Sequence, residues 1–366
     1  MDLKIFSENI KSTGFILENM ISSTLSNNKW NVINNKYYID DVAKTAREID
    51  IIAYKATKVE DVFVYTTLII SCKKNEEKVW ALLSRELNKN DPNIDLEPQH
   101  NWSNHPLIIY QLSKNNIDKK NIPTGKLYLN LFEPNRQVFA FQEMFKKNGR
   151  PDNDKNIFNS ISSLMKSQSY EIDSLPKRKK DRCVYFFYLI SIIDSELILI
   201  DCSSDDLHTK EIDSQIYISN YIINGESVSS KINFMTTTGF NRLITDYSKL
   251  HNHNCNHIEV CYKDFLDDAI KSHEKREILT NELKNKYNSK IRRLIYKNLK
   301  IYDRYEITGI WECDGKIEIN VESENNELID TLNGNDEIIS KVTEMIEDIF
   351  KIKVDDKISF GFDIPF

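Results

Sequence analysis

The chain is poor in the residues that interrupt regular structure: its 366 residues include nine glycines and eight prolines. With so few glycines, neither GxxxxGK[ST] nor GxGxxG occurs, which disfavours an ATPase or a dinucleotide enzyme. No GxSxG elbow is present either, so Ser/His/Asp hydrolysis has no support. The six cysteines, Cys72, Cys183, Cys202, Cys255, Cys261 and Cys313, are scattered and form no CxxC pair. They are expected to be reduced thiols of a cytoplasmic protein. Long apolar runs are also missing. Val184–Ile193 and Leu197–Ile200 are broken by Asp194, Ser195 and Glu196, whereas a membrane span needs about 20 apolar residues. The start, MDLKIFSENIKSTGF, lacks the basic and apolar regions of a signal peptide. A soluble protein without a membrane partner is expected. Lys and Arg total 49 against 56 Asp and Glu, a net charge of −7. That excludes a protein that coats DNA through bulk positive charge, but not one with a local basic cleft.

What is present is enough for a core, since 40% of residues are hydrophobic and 29% charged; disorder throughout the chain is excluded. Leu17, Met20, Ile21 and Leu25 share one face of a helix expected over Thr13–Asn28. Strands are expected at Trp30–Tyr38, Arg47–Tyr54 and Asp61–Lys73, the last apolar enough to be buried and central. Val79–Leu87 reads as a helix. Gly125–Phe141 contains signals for a strand and for the start of a helix, Lys146–Asp154 is a loop, and Asn156–Lys166 a helix. Cys183–Ile200 reads as two strands, Ser214–Ile223 and Val228–Thr236 as two more, and Thr238–Lys249 as a helix. Beyond Cys261, Asp264–Lys300 is a charged helical stretch. It is followed by a strand pair, Tyr305–Trp311 and Lys316–Val321, turning at Asp314-Gly315. A helix, Glu337–Phe350, and a strand, Lys357–Asp363, end the chain.

The expected fold class is α/β to α+β, a mixed central sheet flanked by helices. A boundary near residue 265 separates residues 1–265 from a C-terminal α+β accessory unit, 266–366. The middle region, Cys183–His251, has two readings. It extends the N-terminal sheet through Glu196–Ile200 and Lys231–Thr236, which is the favoured one, or it forms a separate lobe.

The chemistry concentrates between Glu18 and Trp80. Asp50 lies in the strand segment REIDIIA, and the next strand ends in Ser71-Cys72-Lys73. Two antiparallel neighbours would bring Asp50 and Lys73 to one edge of a sheet, and the helix carrying Glu18 would pack beside it. Carboxylates, a backbone carbonyl and a lysine are what metal-dependent phosphodiester cleavage requires. The oxygens hold Mg²⁺, the metal activates water and stabilises developing charge, and the lysine orients or deprotonates the nucleophile. An isolated D…xxK recurs in many proteins, and REIDIIA beside an apolar strand also reads as ordinary sheet with Asp50 in a salt bridge.

The order of the segments adds weight. GFILENMISSTL, KWNVINNKYYIDD, TAREIDIIAY and LIISCKKNEEKVW together resemble the restriction-endonuclease-like PD-(D/E)xK nuclease superfamily. The likeness is to a bacterial branch with a Glu-bearing helix, an R-E-I-D-I strand, an apolar strand ending in E-C-K, and a Trp. It covers about 70 of the 366 residues. The resemblance implies metal ligands at Glu18, Asp50 and the Cys72 carbonyl, a catalytic Lys73, and Mg²⁺ (Mn²⁺ in its place) as cofactor. It further implies DNA as substrate, a 5′-phosphate product, and a role in bacterial restriction or phage defence. Many such nucleases act as homodimers, although no heptad seam marks one here. One departure stands out: the family's E-x-K glutamate is Ser71, so the site loses a negative charge. Glu18 or Glu48 supplies the missing carboxylate, or the domain is a degenerate nuclease retained for nucleic-acid binding or sensing. Tyr38 and Trp80 are expected to be packing residues.

Two further clusters stand outside this site. HNHNCNHIEVC holds His251, His253, Cys255, His257 and Cys261, potential Zn²⁺ ligands. Their spacing matches no common finger, and the stretch is read as a helix-to-strand connector. Lys177-Arg178-Lys179-Lys180 with Arg182, and Lys290, Arg292, Arg293, Lys297 and Lys300, are basic runs suited to phosphate contact. Such runs are ordinarily solvated faces.

Overall fold

The computed structural model describes residues 3–40, 42–92, 94–114, 121–301, 305–313, 316–323, 325, 327–351, 354 and 358–362. Two compact units divide the chain: Met1–His105 with Leu112–Glu259, and Pro106–Gln111 with Val260–Phe366. The break thus falls at Glu259/Val260, and a short segment from the first half of the chain joins the second unit.

The first unit opens with α1 (Leu3–Asn9), a 3-10 turn, and α2 (Gly14–Asn27). Leu17, Ile21 and Leu25, at helical spacing, are the buried apolar face of α2. Three long strands follow: β1 (Asn31–Ile39), β2 (Ala46–Val59) and β3 (Val62–Lys74). They form an antiparallel meander. Leaving aside β4–β6, which follow in the chain, β7 (Cys183–Asp194) lies parallel to β3, and β11 (Glu226–Thr236) parallel to β7. β10 (Ser214–Ile223) closes the edge antiparallel to β11. The order β1-β2-β3-β7-β11-β10, with short β5 (Asn101–Ser103) beside β7, makes a seven-stranded mixed sheet. The fold is therefore mixed α/β, with a many-stranded mixed sheet flanked by helices.

β3 is buried on both faces because its apolar residues alternate between two cores. Leu68, Ile70 and Cys72 join the cluster under α2, which also takes Ile190, Ile192 and Met235 of the neighbouring strands. Ile69 joins the other cluster with Ile157, Ile161, Leu164 and Met165 of α5 (Lys155–Arg178). α3 (Pro106–Lys114) and α4 (Gly125–Leu131) precede α5 in the chain.

Several elements differ from expectation. Val79–Leu87 is not helical: β4 (Lys78–Arg85) is a strand between β6 (Gln137–Phe145) and β8 (Leu197–Asp201), with β9 (His208–Ile212) completing a second, four-stranded sheet. β4 is buried on both faces, and a short, wholly buried strand has the same apolar run as a buried helix. Within Gly125–Phe141 the helix comes first and the strand second. The helix expected at Thr238–Lys249 is α6 (Thr237–Leu266), which runs straight through the His/Cys-rich stretch taken for a connector. Lys231–Thr236 lies in β11 of the main sheet, whereas Glu196–Ile200 contributes β8 to the smaller one.

In the second unit α7 (His273–Leu299) precedes a three-stranded sheet of β12 (Tyr305–Cys313), β13 (Lys316–Ser323) and β14 (Ser359–Phe362). The expected turn at Asp314-Gly315 lies outside the described residues. Between β13 and β14 come α8 (Leu328–Asn333) and α9 (Asp336–Phe350). Asn335 caps α9 by accepting the Ile338 amide at 3.1 Å. Among the described residues no helix is long and apolar enough to cross a membrane.

Candidate active site at the end of β3

Asp50 sits where β2 departs from regular pairing. The β1–β2 register runs through Asn34 with Ile51 and resumes at Lys36 with Ile49. Asn35 between them has φ 54°, a left-handed conformation that asparagine tolerates better than most residues. On the other side the β2–β3 ladder ends at Ile51 with Ile70. Ile49 packs in the α5-side core and Ile51 in the α2-side core, although residues two apart share a face in a regular strand. The register is the same on both sides of the gap, so no residue is inserted; the local break leaves Asp50 outside both ladders.

The freed carboxylate replaces the missing ladder bonds. The Cys72 amide donates to Asp50 Oδ2 at 2.7 Å, the Ser71 hydroxyl at 3.3 Å, and the Lys73 ammonium at 3.3 Å. All three donors converge on one oxygen; Asp50 Oδ1 has no hydrogen-bond partner among the described residues. Asp50 and Lys73 are each partly exposed, so the pair meets solvent. Glu18 projects from α2 toward the same place. Burial first, then the negative charges of Asp50 and Glu48, push its carboxyl up to about 7, while Lys73 acts in the opposite sense. Glu48 is exposed and accepts a hydrogen bond from the Asn35 side chain.

Ser71 is 3% exposed. Its neighbour in the sheet is Ser191, whose hydroxyl is 2.7 Å from that of Ser160 on α5. The Cys72 thiol is buried, and burial together with the Asp50 and Glu18 charges pushes it far above its ordinary value. It is a packing group, and only its main-chain carbonyl is a candidate ligand.

The structure thus brings Glu18, Asp50, Ser71, Cys72 and Lys73 together at one end of β3. Among the described residues no three His, Cys, Asp or Glu side chains group as a metal site by themselves. The expected set has two such side chains and a main-chain carbonyl. Those oxygens fit a hard cation: Mg²⁺ characteristically takes one or two carboxylates and keeps several waters. The two carboxylates that crowd Glu18 upward, and the unpaired Asp50 oxygen, fit the same donor chemistry.

Around the site, Arg47 of the REID segment bonds Asp40 at 2.8 Å, and Lys166 bonds Asp40 at 3.2 Å. Trp80 is fully buried, with its indole N–H on Glu143 at 3.2 Å; Tyr38 is buried as well. Both are core residues. Glu143, itself fully buried and bonded by Asn156, was missed because nothing around it in the sequence marks a buried carboxylate.

The His/Cys stretch forms no ligand array. His251 is bonded through Nε2 to Thr57 at 2.8 Å and through Nδ1 to Thr66 at 3.0 Å, and His253 bonds the Asn121 carbonyl. On a helix, positions 251 and 255 share a face that 253 and 257 do not. The basic runs are largely engaged within the chain. Arg178 pairs with Glu171, Arg182 with Asp61, and Lys297 with Glu337. Lys179 covers the Tyr65 ring at 4.7 Å, and Lys290 and Arg292 lie over Tyr287 and Tyr305. Comparison with known family models, curated proteins and solved structures finds no match to this chain.

Proposed function

We propose that the end of β3 is the active centre of a metal-dependent DNA endonuclease with the restriction-endonuclease-like fold that the sequence resembles. The observation that carries this reading is the meeting of Asp50 with the Lys73 ammonium and the Cys72 amide, next to a second carboxylate, Glu18, which is raised by burial first and then by the Asp50 charge. Glu18, Asp50 and the Cys72 carbonyl are the groups that would hold Mg²⁺ or Mn²⁺. When bound, such an ion supplies an activated water and neutralises charge developing on the phosphate. Lys73 orients the nucleophile or the phosphate oxygen with a partly exposed ammonium, and Asp50 holds that ammonium in place. A role in restriction or phage defence, and a homodimer that cuts both strands, follow from the same resemblance.

The test is nicking of supercoiled DNA with Mg²⁺. Asp50→Ala and Lys73→Ala are each expected to lower the rate by about a hundredfold or more. Cleavage that survives both changes sinks the assignment.

A second reading is favoured by Ser71: a nuclease fold that has lost its chemistry and serves as a nucleic-acid-binding or sensing module. A neutral, buried hydroxyl donating to Asp50 contributes no charge toward a cation. Calorimetry separates the two, since DNA binding without heat from millimolar Mg²⁺ or Mn²⁺ supports the module.

A further inference from the structure

In the second unit α7 packs on β12, yet the first turns of α7 carry a polar stripe. His273, Arg276, Glu277, Thr280 and Asn281 recur at the spacing of one helical face. With Thr308–Trp311 of β12 they line a cleft of about 380 Å³. β12 has one residue more than β13 at this point. Ile307 pairs with Val321 but Gly309 with Asn320, which leaves Thr308 as a bulge. The Thr308 hydroxyl is buried without a hydrogen-bond partner among the described residues, a state that buried polar groups ordinarily avoid.

Trp311 is 37% exposed, and its ring is fixed. Gly309 leaves room for it, since a Cβ there would stand 2.8 Å from the indole nitrogen. The indole N–H donates to the Asn320 side-chain oxygen at 3.0 Å. The Arg276 guanidinium lies 4.4 Å from the ring centroid, held by the Ile270 carbonyl at 2.7 Å and the Lys271 carbonyl at 3.3 Å. His273 meets the same ring edge-on. A fixed aromatic ring stacked with a guanidinium is a surface on which nucleic-acid bases stack. Beside it, Glu277 and Asn281 are exposed, and their side chains bond no group among the described residues. Among the described residues no lysine lines the cleft, so its chemistry suits a base and not a phosphate.

A stacking surface, a free carboxylate, a free amide and an unpaired hydroxyl match the edge of a purine. Guanine presents two adjacent donors, N1–H and its N2 amino group, to a single carboxylate, which adenine does not. Its O6 and N7 accept from an amide or a hydroxyl. The volume suits a ligand of nucleoside size.

We propose that this cleft binds a guanine base, carried by a free nucleotide or by an unpaired strand. The ring stacks on Trp311 and Arg276, N1–H and the N2 amino group donate to Glu277, and the acceptor edge takes Asn281 and Thr308. The site stands whether or not the Asp50 cluster cleaves DNA.

The experiment is calorimetric titration of the full chain, without divalent metal, with GMP, AMP, oligothymidylate and the same oligonucleotide carrying one central guanine. GMP is expected to bind more tightly than AMP, and the guanine oligonucleotide more tightly than oligothymidylate. A free nucleotide is the source if GMP binds at least as well as the guanine oligonucleotide, and a strand is the source if the oligonucleotide binds better. Glu277→Gln should weaken GMP by about tenfold or more and leave AMP unchanged. Trp311→Ala should weaken both by about tenfold, with Trp311→Phe retaining most of the affinity. Both side chains meet solvent, so the fold should survive; circular dichroism checks this. Asp50→Ala should bind GMP as the wild type does, which separates this site from the nuclease reading. Absence of heat from every ligand, equal affinity for GMP and AMP, or GMP binding unchanged in Glu277→Gln would each overturn the proposal.

Discussion

Asp50 is held by an amide, a hydroxyl and an ammonium on a single oxygen, which leaves its other oxygen for a cation. Ser71 tests that arrangement. A glutamate there would add a second negative charge in a buried place beside Asp50, a costly position without a positive partner. Ser71→Glu is therefore expected to lower the melting temperature without metal, to recover it in Mg²⁺ by more than the wild type gains, and to raise cleavage. Equal stability with and without Mg²⁺ would show that no ion is held there. His251 gives a prediction independent of function. Burial, and secondarily Lys55, pushes its imidazole from 6.5 down to about 4. Between those values the unfolded chain binds a proton that the folded chain refuses, so stability falls as pH falls. Urea unfolding at pH 7 and pH 4.5 should show about 2 kcal/mol more acid loss in the wild type than in His251→Gln.

At the scale of elements, β3 is the structural centre, since it feeds both cores and ends at the site. Leu68 is fully buried under α2, and Leu68→Ala should cost about 2–5 kcal/mol in urea unfolding, whereas a similar change at exposed Phe63 should cost far less. The order of α2, β1, β2 and β3 was readable because helical spacing at Leu17, Ile21 and Leu25, and the β-branched runs of β2 and β3, are local signals. What was not readable is their register: the left-handed Asn35 and the interrupted pairing that aim Asp50 at Cys72 depend on three strands at once. β4 was misread because Val79, Trp80, Ala81 and Leu82 are all buried, which erases periodicity. The His/Cys stretch of α6 was misread because Asn and His are weak helix formers. Packing of Tyr247, Leu250 and Ile258, with threonine hydroxyls on both nitrogens of His251, overrides that preference.

For the whole molecule, the net charge of −7 leaves DNA affinity to local features. α7 is a poor candidate for one of them, because Lys284, Lys286 and Lys297 pair with Glu306, Asp348 and Glu337. A phosphate approaching these lysines meets the carboxylates too. Joint alanine replacement of the three is expected to change DNA affinity by less than about twofold at moderate salt; a tenfold loss would make α7 part of the DNA surface. The central claim concerns the end of β3, and a crystal of the full chain soaked in Mn²⁺ tests it most directly. The account requires one anomalous peak with Glu18, Asp50 and the Cys72 carbonyl each about 2.1 Å from the ion. No peak there, or a peak held by other residues, would contradict it.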